Sequence, residues 1–246
     1  MKIGIAYKTI AEVRSFTTQD VRLNPKVYIT DSGKEGEFVY DSTDTTTADN
    51  LGTVLVSGSA RYKRVFDVVV RPEWFGAVGD NSTYDTTAFQ NTFTFANASG
   101  YNVELSKKTY KVSTLTVPDN IIILGNDATL NQVRTDGTAV SVLVLGNDNV
   151  VDNLNIICDP TGTAFDNNGG IHIYDKTNVV VKNCYVKNHG VYGVFLSRVE
   201  NVTITNNRFW SNYQLAAIRY NNDGGIWNNS SDILLYSGSS IGNKNV

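Results

Sequence analysis

The sequence predicts an all-β protein in which a β-solenoid takes up the C-terminal two-thirds, from about Trp74 onward. Three copies of a short pattern support this prediction, and they begin without gaps at Val151, Val181 and Ile204. The copies lie 30 and 23 residues apart, a spacing typical of one solenoid coil that holds two or three short strands. A weaker fourth copy begins near Asp232.

The composition bounds the function as well as the fold. The chain has 246 residues, 41% of them hydrophobic, and a net charge of −3, so it is long enough for one large or two small globular domains. It shows no basic stripe of the kind that nucleic-acid binders carry. Its longest apolar runs are too short to insert into a membrane, and we expect no signal peptide because no apolar segment follows Met1.

Equivalent positions in stacked coils should lie directly above one another, about 4.8 Å apart. Two such columns are apolar and are predicted to point into the solenoid: Val151, Val181 and Ile204 in one, and Ile156, Val186 and Phe209 in the other. A third column, Asn153, Asn183 and Asn206, is predicted to be a buried structural ladder, since a buried amide needs a hydrogen-bond partner along the stack.

A helix and a small β module precede the coils. Asp85 is the expected N-cap, Phe89 and Phe93 begin an apolar face, and Gly100 ends the helix. A helix at this point would cap the open edge of the first coil. The predicted organisation is an N-terminal β module over 1–70, a linker with the capping helix over 71–100, and the β-helix over 101–246, incomplete at its C-terminal end.

The only cysteines are Cys158 and Cys184. Neither has a histidine at a metal-ligand spacing, so the sequence predicts no metal site and no cofactor. Buried free thiols are the favoured interpretation, with a disulfide as the alternative.

Two groups of motifs resemble a known family. WFGAVGD at 74–80 and DTTAFQ at 85–90 resemble the opening of the pectate-lyase-like β-helix superfamily, with Asn81 and Tyr84 as departures. Upstream, segments within 40–53 and 61–67 are similar to the N-terminal module of bacteriophage tailspike and tail appendage proteins. The resemblance implies that the solenoid is a right-handed parallel β-helix.

The same resemblance implies a function. It points to a homotrimeric spike on the virion tail, in which residues 1–70 bind other phage tail proteins and the β-helix engages a bacterial surface polysaccharide. The alternative is a polysaccharide lyase or glycoside hydrolase, a capsule or lipopolysaccharide depolymerase, with its active site on the β-helix. A bacterial surface or secreted β-helix protein is a third possibility, and the absence of a signal peptide speaks against it.

Glycoside hydrolysis needs two carboxyl groups about 5–9.5 Å apart, and no aligned column supplies them. Asp159 aligns with His189 and Asn212, and Asp175 aligns with Arg198. His189, Asp159 and Arg198 are therefore the catalytic candidates, although His189 is more simply a surface turn residue. Whether the chain is an enzyme stays open, and we expect it not to cleave polysaccharide.

Aromatic and cationic side chains are predicted to face outward near the end of the chain. Asn155, Tyr185 and Arg208 form one such column, and Ile157, Lys187 and Trp210 form the next. Flat rings beside polar groups suit sugar binding, and burial against a neighbouring subunit is the alternative. The glycan-binding candidates are Tyr185, Arg208, Trp210, Tyr213 and Trp227.

Two further groups of side chains are interpreted as surface. His172 should point outward beside Phe195. Arg61, Lys63 and Arg64 are interpreted as a solvated strand face, with an acidic tail partner as the alternative.

Overall fold

The computed structural model describes residues 5–133, 140–158, 168–189, 192–210, 216–221, 233–235 and 241–243. The chain forms two compact units. The first contains the residues up to Val68 together with Glu73–Gly76, and the second contains Val69–Pro72 and the residues from Ala77 onward.

The first unit is a five-stranded sheet with two short helices on it. Its elements are β1 (Ala6–Lys8), α1 (Ile10–Arg14), α2 (Thr18–Leu23), β2 (Lys26–Ile29), β3 (Gly36–Asp41), β4 (Val54–Ser57) and β5 (Ala60–Arg64). The strand order is β1-β2-β3-β5-β4, and only the β1–β2 pair is parallel. The apolar side chains of α1 and α2 cover one face of this sheet and form its core with residues such as Phe38, Leu55 and Tyr62.

Both helices begin with a capping box. The Thr9 hydroxyl accepts from the backbone N–H of Glu12 while the Glu12 carboxylate accepts from the N–H of Thr9. Thr17 and Asp20 repeat this arrangement in α2. The expected N-terminal β module is present, but its two helices were not predicted, because helices of five and six residues have almost no periodicity to detect.

The prediction that Arg61 and Arg64 are solvated is wrong. Arg64 is only 6% exposed and Arg61 only 9%. The Arg64 guanidinium donates to the backbone oxygens of Gly52, Glu35 and Lys34 at 2.6, 2.8 and 2.8 Å, and it lies 4.6 Å from the ring centroid of Phe38 and 4.3 Å from that of Trp74. Lys63 stays half-exposed and forms an ion pair with Asp44.

The second unit is a parallel β-helix. Its strands are β6 (Val69–Val70), β7 (Asp80–Tyr84), β8 (Asn102–Glu104), β9 (Thr109–Val112), β10 (Leu115–Thr116), β11 (Ile122–Gln132), β12 (Val140–Val144), β13 (Val150–Cys158), β14 (Asn168–Tyr174), β15 (Val180–Lys182), β16 (Tyr185–Lys187), β17 (Tyr192–Ser197), β18 (Thr203–Thr205), β19 (Asn207–Trp210), β20 (Ala216–Asn221), β21 (Ile233–Leu235) and β22 (Ile241–Asn243). A 3₁₀ helix at Pro72–Phe75 follows β6.

These strands stack in three parallel columns. The first column contains β6, β8, the beginning of β11 and of β13, β15 and β18. The second contains β7, β9, the end of β11 and of β13, β16, β19 and β21. The third contains β10, β12, β14, β17, β20 and β22. One full coil therefore contributes one strand to each column.

Both predicted interior columns are confirmed. Val151 pairs with Val181, which pairs with Ile204, and all three are buried. The second set, Ile156, Val186 and Phe209, is in register and buried as well. Side chains alternate in and out along a strand, so the residues between these positions face outward.

The asparagine ladder exists, but not as a buried one. Asn153, Asn183 and Asn206 are exposed and occupy the left-handed region, with φ of 55°, 56° and 51°, at the turn between the first and second columns. Asn206 donates to the Asn183 side-chain oxygen at 2.6 Å, while Asn183 donates to Asp152 at 2.7 Å. These asparagines are present because they tolerate the left-handed turn, which also puts their side chains in solvent.

The buried amide is that of the neighbouring residue, Asn207. Its side-chain oxygen accepts from the Cys184 N–H at 2.8 Å, and its nitrogen donates to the Val181 carbonyl at 2.8 Å. Asn149 makes an equivalent contact elsewhere in the stack, where its side-chain oxygen accepts a hydrogen bond from the Ile121 N–H at 2.9 Å. The buried asparagines therefore form hydrogen bonds with individual backbone groups of neighbouring coils, and they do not form a continuous ladder.

The predicted helix is α3 (Thr86–Ser99), and it ends at Gly100 in the left-handed conformation. It contacts β8 and β10, and Phe89 packs on Tyr110 with ring centroids 5.1 Å apart. Asp85 stands at the N-cap position without a capping hydrogen bond. Its buried carboxylate instead accepts from the N–H groups of Val78 and Gly79 at 2.7 and 3.0 Å, so it holds the preceding turn.

Cys158 and Cys184 are buried free thiols, as expected. Burial raises the pKa of the Cys184 thiol to about 12, which leaves it protonated and unreactive. Within the described part of the chain, we find no helix with the length and apolarity to cross a bilayer.

Candidate functional site

The outer face of the second column carries the predicted aromatic and cationic residues. Tyr185 lies between Asn155 and Arg208 in one outward row, and Lys187 lies between Ile157 and Trp210 in the next. We call the outward residues Lys111, Asn155, Tyr185, Lys187, Arg208 and Trp210 the second-column face.

Arg208 connects the two rings of this face. Its guanidinium carbon lies 4.9 Å from the Tyr185 ring centroid and 5.4 Å from that of Trp210. Arg208 is exposed, while Tyr185 and Trp210 are half-buried. A guanidinium between two rings fixes their orientation.

The face continues toward earlier coils through polar contacts. The Asn155 amide donates to the Asp127 carboxylate at 3.1 Å and to its carbonyl at 3.2 Å. Lys107 forms an ion pair with Asp127 at 2.5 Å. The Lys107 ammonium and the Asn155 amide hold the pKa of Asp127 below its ordinary value, so this carboxylate is ionised near neutral pH and is not a proton donor.

A second cation–ring pair, not predicted from the sequence, lies at the other end of the face. The Lys111 ammonium lies 4.3 Å from the centroid of the Tyr84 ring, and Tyr84 is 54% exposed. Lys111 aligns with Asn131, which aligns with Ile157 and so continues the row to Lys187. Extending the coil register by two more coils would have revealed Lys111 from the sequence.

The prediction that His189 is a surface turn residue is wrong. It is fully buried, and its Nε2 lies 3.1 Å from the carbonyl oxygen of Ile156. Because a carbonyl can only accept, Nε2 carries the proton. Burial lowers the pKa of His189 to about 4. An imidazole enclosed in this way cannot reach a polysaccharide outside the β-helix.

The remaining candidates are separated or lie outside the described residues. Arg198 forms the predicted pair with Asp175, at 2.5 Å from its Nε to one carboxylate oxygen. Both follow strands of the third column, away from the second-column face. Asp159, Asn212, Tyr213 and Trp227 lie outside the described residues. Within the part of the chain that the structure describes, no three His, Cys, Asp or Glu side chains come together as a metal site.

His172 points outward beside Phe195, as predicted, with ring centroids 5.0 Å apart. It is half-buried rather than plainly exposed. Burial lowers its pKa below the ordinary histidine value.

Two family profiles match this chain. Residues 6–67 match the small four-stranded β-sheet domain of phage tail proteins, and residues 77–241 match the right-handed β-helix region. No curated protein matches it in a sequence search.

Solved structures share the fold at low sequence identity. A tailspike protein of Acinetobacter baumannii bacteriophage Fri1, a capsular polysaccharide depolymerase, is 12% identical with a TM-score of 0.64, over 98% of this chain and 60% of that one. The enzymatically active domain of tailspike protein 2 from bacteriophage CBA120 is 19% identical with a TM-score of 0.59, over 97% and 45% of the two chains. A proposed glycosyl hydrolase from Parabacteroides merdae is 13% identical with a TM-score of 0.59, over 72% and 92%.

This chain thus spans 60% and 45% of the two tailspike chains. The β-helix match covers most of the sequence and agrees with the three observed strand columns. The chain therefore belongs to the right-handed β-helix family, and its residues 6–67 match a domain of phage tail proteins.

Proposed function

We propose that the chain attaches to other phage tail proteins through residues 1–70 and binds a bacterial surface polysaccharide on the second-column face, as part of a homotrimer. The observation that carries the binding role is the Tyr185–Arg208–Trp210 cluster. Rings held on a rigid sheet can stack on pyranose faces, and the guanidinium between them can donate to hydroxyl or carboxylate oxygens.

The charges of this face favour an acidic polysaccharide. Its outward rows carry Lys111, Lys187 and Arg208, and the exposed Asp80 stands at the start of the row that contains Asn155. Asp127, whose carboxylate contacts Asn155, forms an ion pair with Lys107. Uronate, sialate or phosphate groups are the anions that these three cations can pair with.

Trp210→Ala tests the binding role. We expect the full chain to bind a subset of immobilised bacterial capsular polysaccharides and lipopolysaccharides. The substitution should weaken that binding about tenfold, since a lost stacking contact is worth about 1–2 kcal/mol. Arg22→Ala, an exposed arginine on α2, is the control and should change nothing. Equal binding by wild type and Trp210→Ala would contradict the assignment of this face.

Homotrimer formation is tested by light scattering on the full chain. Tyr185 and Trp210 are half-buried in the single chain, so the apolar surface that suggested a subunit contact is smaller than the sequence implied. We expect a mass three times that of the monomer, independent of concentration in the micromolar range. A stable monomer would contradict this part of the proposal.

Tail attachment is tested by adding gold-labelled full chain to phage particles that lack their spikes. We expect electron microscopy to show label at the tail. Exposed apolar residues of the first unit, Tyr7 and Leu23, are candidates for the contact, and Tyr7→Lys should reduce labelling. Unlabelled tails with the wild-type chain would contradict the attachment role.

The depolymerase alternative makes a different prediction. The only described carboxylate aligned with a catalytic candidate is Asp175, which Arg198 binds, and two carboxyl groups or a positioned base are needed for cleavage. We therefore expect no release of reducing ends and no unsaturated-uronate absorbance when the chain is incubated with a polysaccharide that it binds. Turnover of any such substrate would favour the enzyme.

A further inference from the structure

A second cluster of rings lies on the outer face of the third column. Phe195 packs beside His172 and Tyr192, with ring centroids 5.0 and 5.2 Å apart and ring planes inclined by 60° and 34°. Tyr174 is exposed next to His172, and the Arg198 guanidinium carbon lies 4.3 Å from its ring centroid. We call Tyr174, Asp175, Tyr192, Phe195 and Arg198 the third-column face.

A glycine leaves room for one of these rings. Tyr192 aligns with Gly169 on the preceding coil, and a Cβ at Gly169 would stand 2.1 Å from the Tyr192 ring. The ring therefore covers the bare backbone of Gly169, and its hydroxyl reaches the Ser141 hydroxyl at 3.1 Å, two coils away. The ring is thus held between neighbouring coils while it stays half-exposed.

The edge of this face offers both hydrogen-bond donors and acceptors. The Arg198 guanidinium pairs with both carboxylate oxygens of Asp175 and also contacts the Tyr174 hydroxyl. The Asp175 side chain remains half-exposed. A guanidinium and a carboxylate fixed beside flat rings can bind the neighbouring hydroxyls of a sugar while its C–H face stacks on the rings.

Arg198 also stands in an unfavourable backbone conformation. Its φ is 48°, in the left-handed region, and most of the other non-glycine residues with positive φ in this unit are Asn or Asp. Those residues adopt this conformation with less strain than arginine does. A strained residue with an exposed functional group is a reason to look for a function.

We propose that the third-column face is a separate sugar-binding site that accommodates one pyranose unit of a polysaccharide. A second copy of the chain is the less favoured occupant, because it would have to remove the exposed Asp175–Arg198 pair from water. The inference rests on the proposed function only in the class of ligand, since the two faces lie on different columns and can be tested apart.

Arg198→Asn is the sharpest test. It removes the guanidinium but restores a residue that suits the left-handed turn, so the fold should be preserved. On immobilised bacterial capsular polysaccharides and lipopolysaccharides, we expect the full-length variant to bind about tenfold more weakly, the effect of losing one charge-assisted contact. Its melting temperature and its mass by light scattering should match the wild type. Arg22→Asn, the same substitution on α2, is the control.

Gly169→Ala provides an independent variant, because it removes no functional group and only displaces the Tyr192 ring. It should weaken binding in the same direction. If both variants bind like the wild type while Trp210→Ala does not, the third-column site is wrong and the proposed function stands. A fall in the mass of the assembly would identify the face as a subunit contact and overturn the site. A wild-type chain that binds no polysaccharide on the array would overturn both.

Discussion

The two units of this protein use polar side chains in different ways. In the β-helix, polar positions repeat from coil to coil: Asn183 and Asn206 occupy equivalent turns and bond to each other. In the N-terminal unit, the buried Arg64 has no equivalent in a repeat, and it donates to three backbone oxygens from two loops. Repetition makes a role visible in the sequence, whereas a unique contact leaves no pattern to detect.

The largest expected effect is at Arg64. Arg64→Ala would leave three backbone oxygens without their donor inside the first unit and remove the contacts with Phe38 and Trp74. We expect a loss of about 3–5 kcal/mol in the free energy of unfolding. Urea titration followed by tryptophan fluorescence measures it. Lys63→Ala is the matched control, because its half-exposed pair with Asp44 should be worth less than about 1 kcal/mol.

Asn207 provides the corresponding test in the β-helix. Asn207→Ala leaves the Cys184 N–H and the Val181 carbonyl unpaired in the interior, which should cost about 2–3 kcal/mol. Thermal unfolding followed by circular dichroism measures the loss. A change below about 0.5 kcal/mol would show that the Cys184 N–H and the Val181 carbonyl find other hydrogen-bond partners without the amide.

His189 should make stability depend on pH. Its pKa is lowered to about 4 in the folded chain, so the unfolded state binds the proton more tightly. The stabilisation is complete above the unfolded pKa and is lost as the pH falls toward the folded value. Between pH 7 and pH 5 we expect a loss of about 2 kcal/mol.

His189→Gln should flatten this pH dependence, even if it lowers stability at pH 7. His172→Gln is the comparison. The pKa of His172 is also lowered by burial, but that side chain is half-exposed, so a smaller part of the slope should disappear. Equal slopes in wild type and His189→Gln would mean that the buried imidazole is not the cause.

The smallest expected effect is on the exposed ladder. Asn206→Gly keeps the left-handed turn and removes only the bond to Asn183, so it should cost less than about 1 kcal/mol. Thermal unfolding beside Asn207→Ala compares adjacent residues of the same type, one exposed and one buried. A larger loss for Asn206→Gly than for Asn207→Ala would reverse our interpretation of which asparagine stabilises the stack.

The sequence by itself determined the repeat, its register and the direction of most side chains. Val151, Val181 and Ile204 stack and are buried as their alignment predicts, and Tyr185, Arg208 and Trp210 face outward. The helix that ends at Gly100 was also predicted from the sequence, and the motif around Trp74 indicated where the β-helix begins. A parallel stack repeats one environment at each position, so alignment alone transfers information between coils.

Only the tertiary structure decided where single polar residues lie. Asn206 and Asn207 are adjacent asparagines, yet one is exposed and the other buried. Asn206 stands in the left-handed turn after β18, whereas Asn207 is the first residue of β19 and points inward. His189 was expected at the surface and is enclosed, and Arg64 was expected in solvent and is buried. Burial depends on what packs over a residue from distant parts of the chain, and local pattern carries no information about that contact.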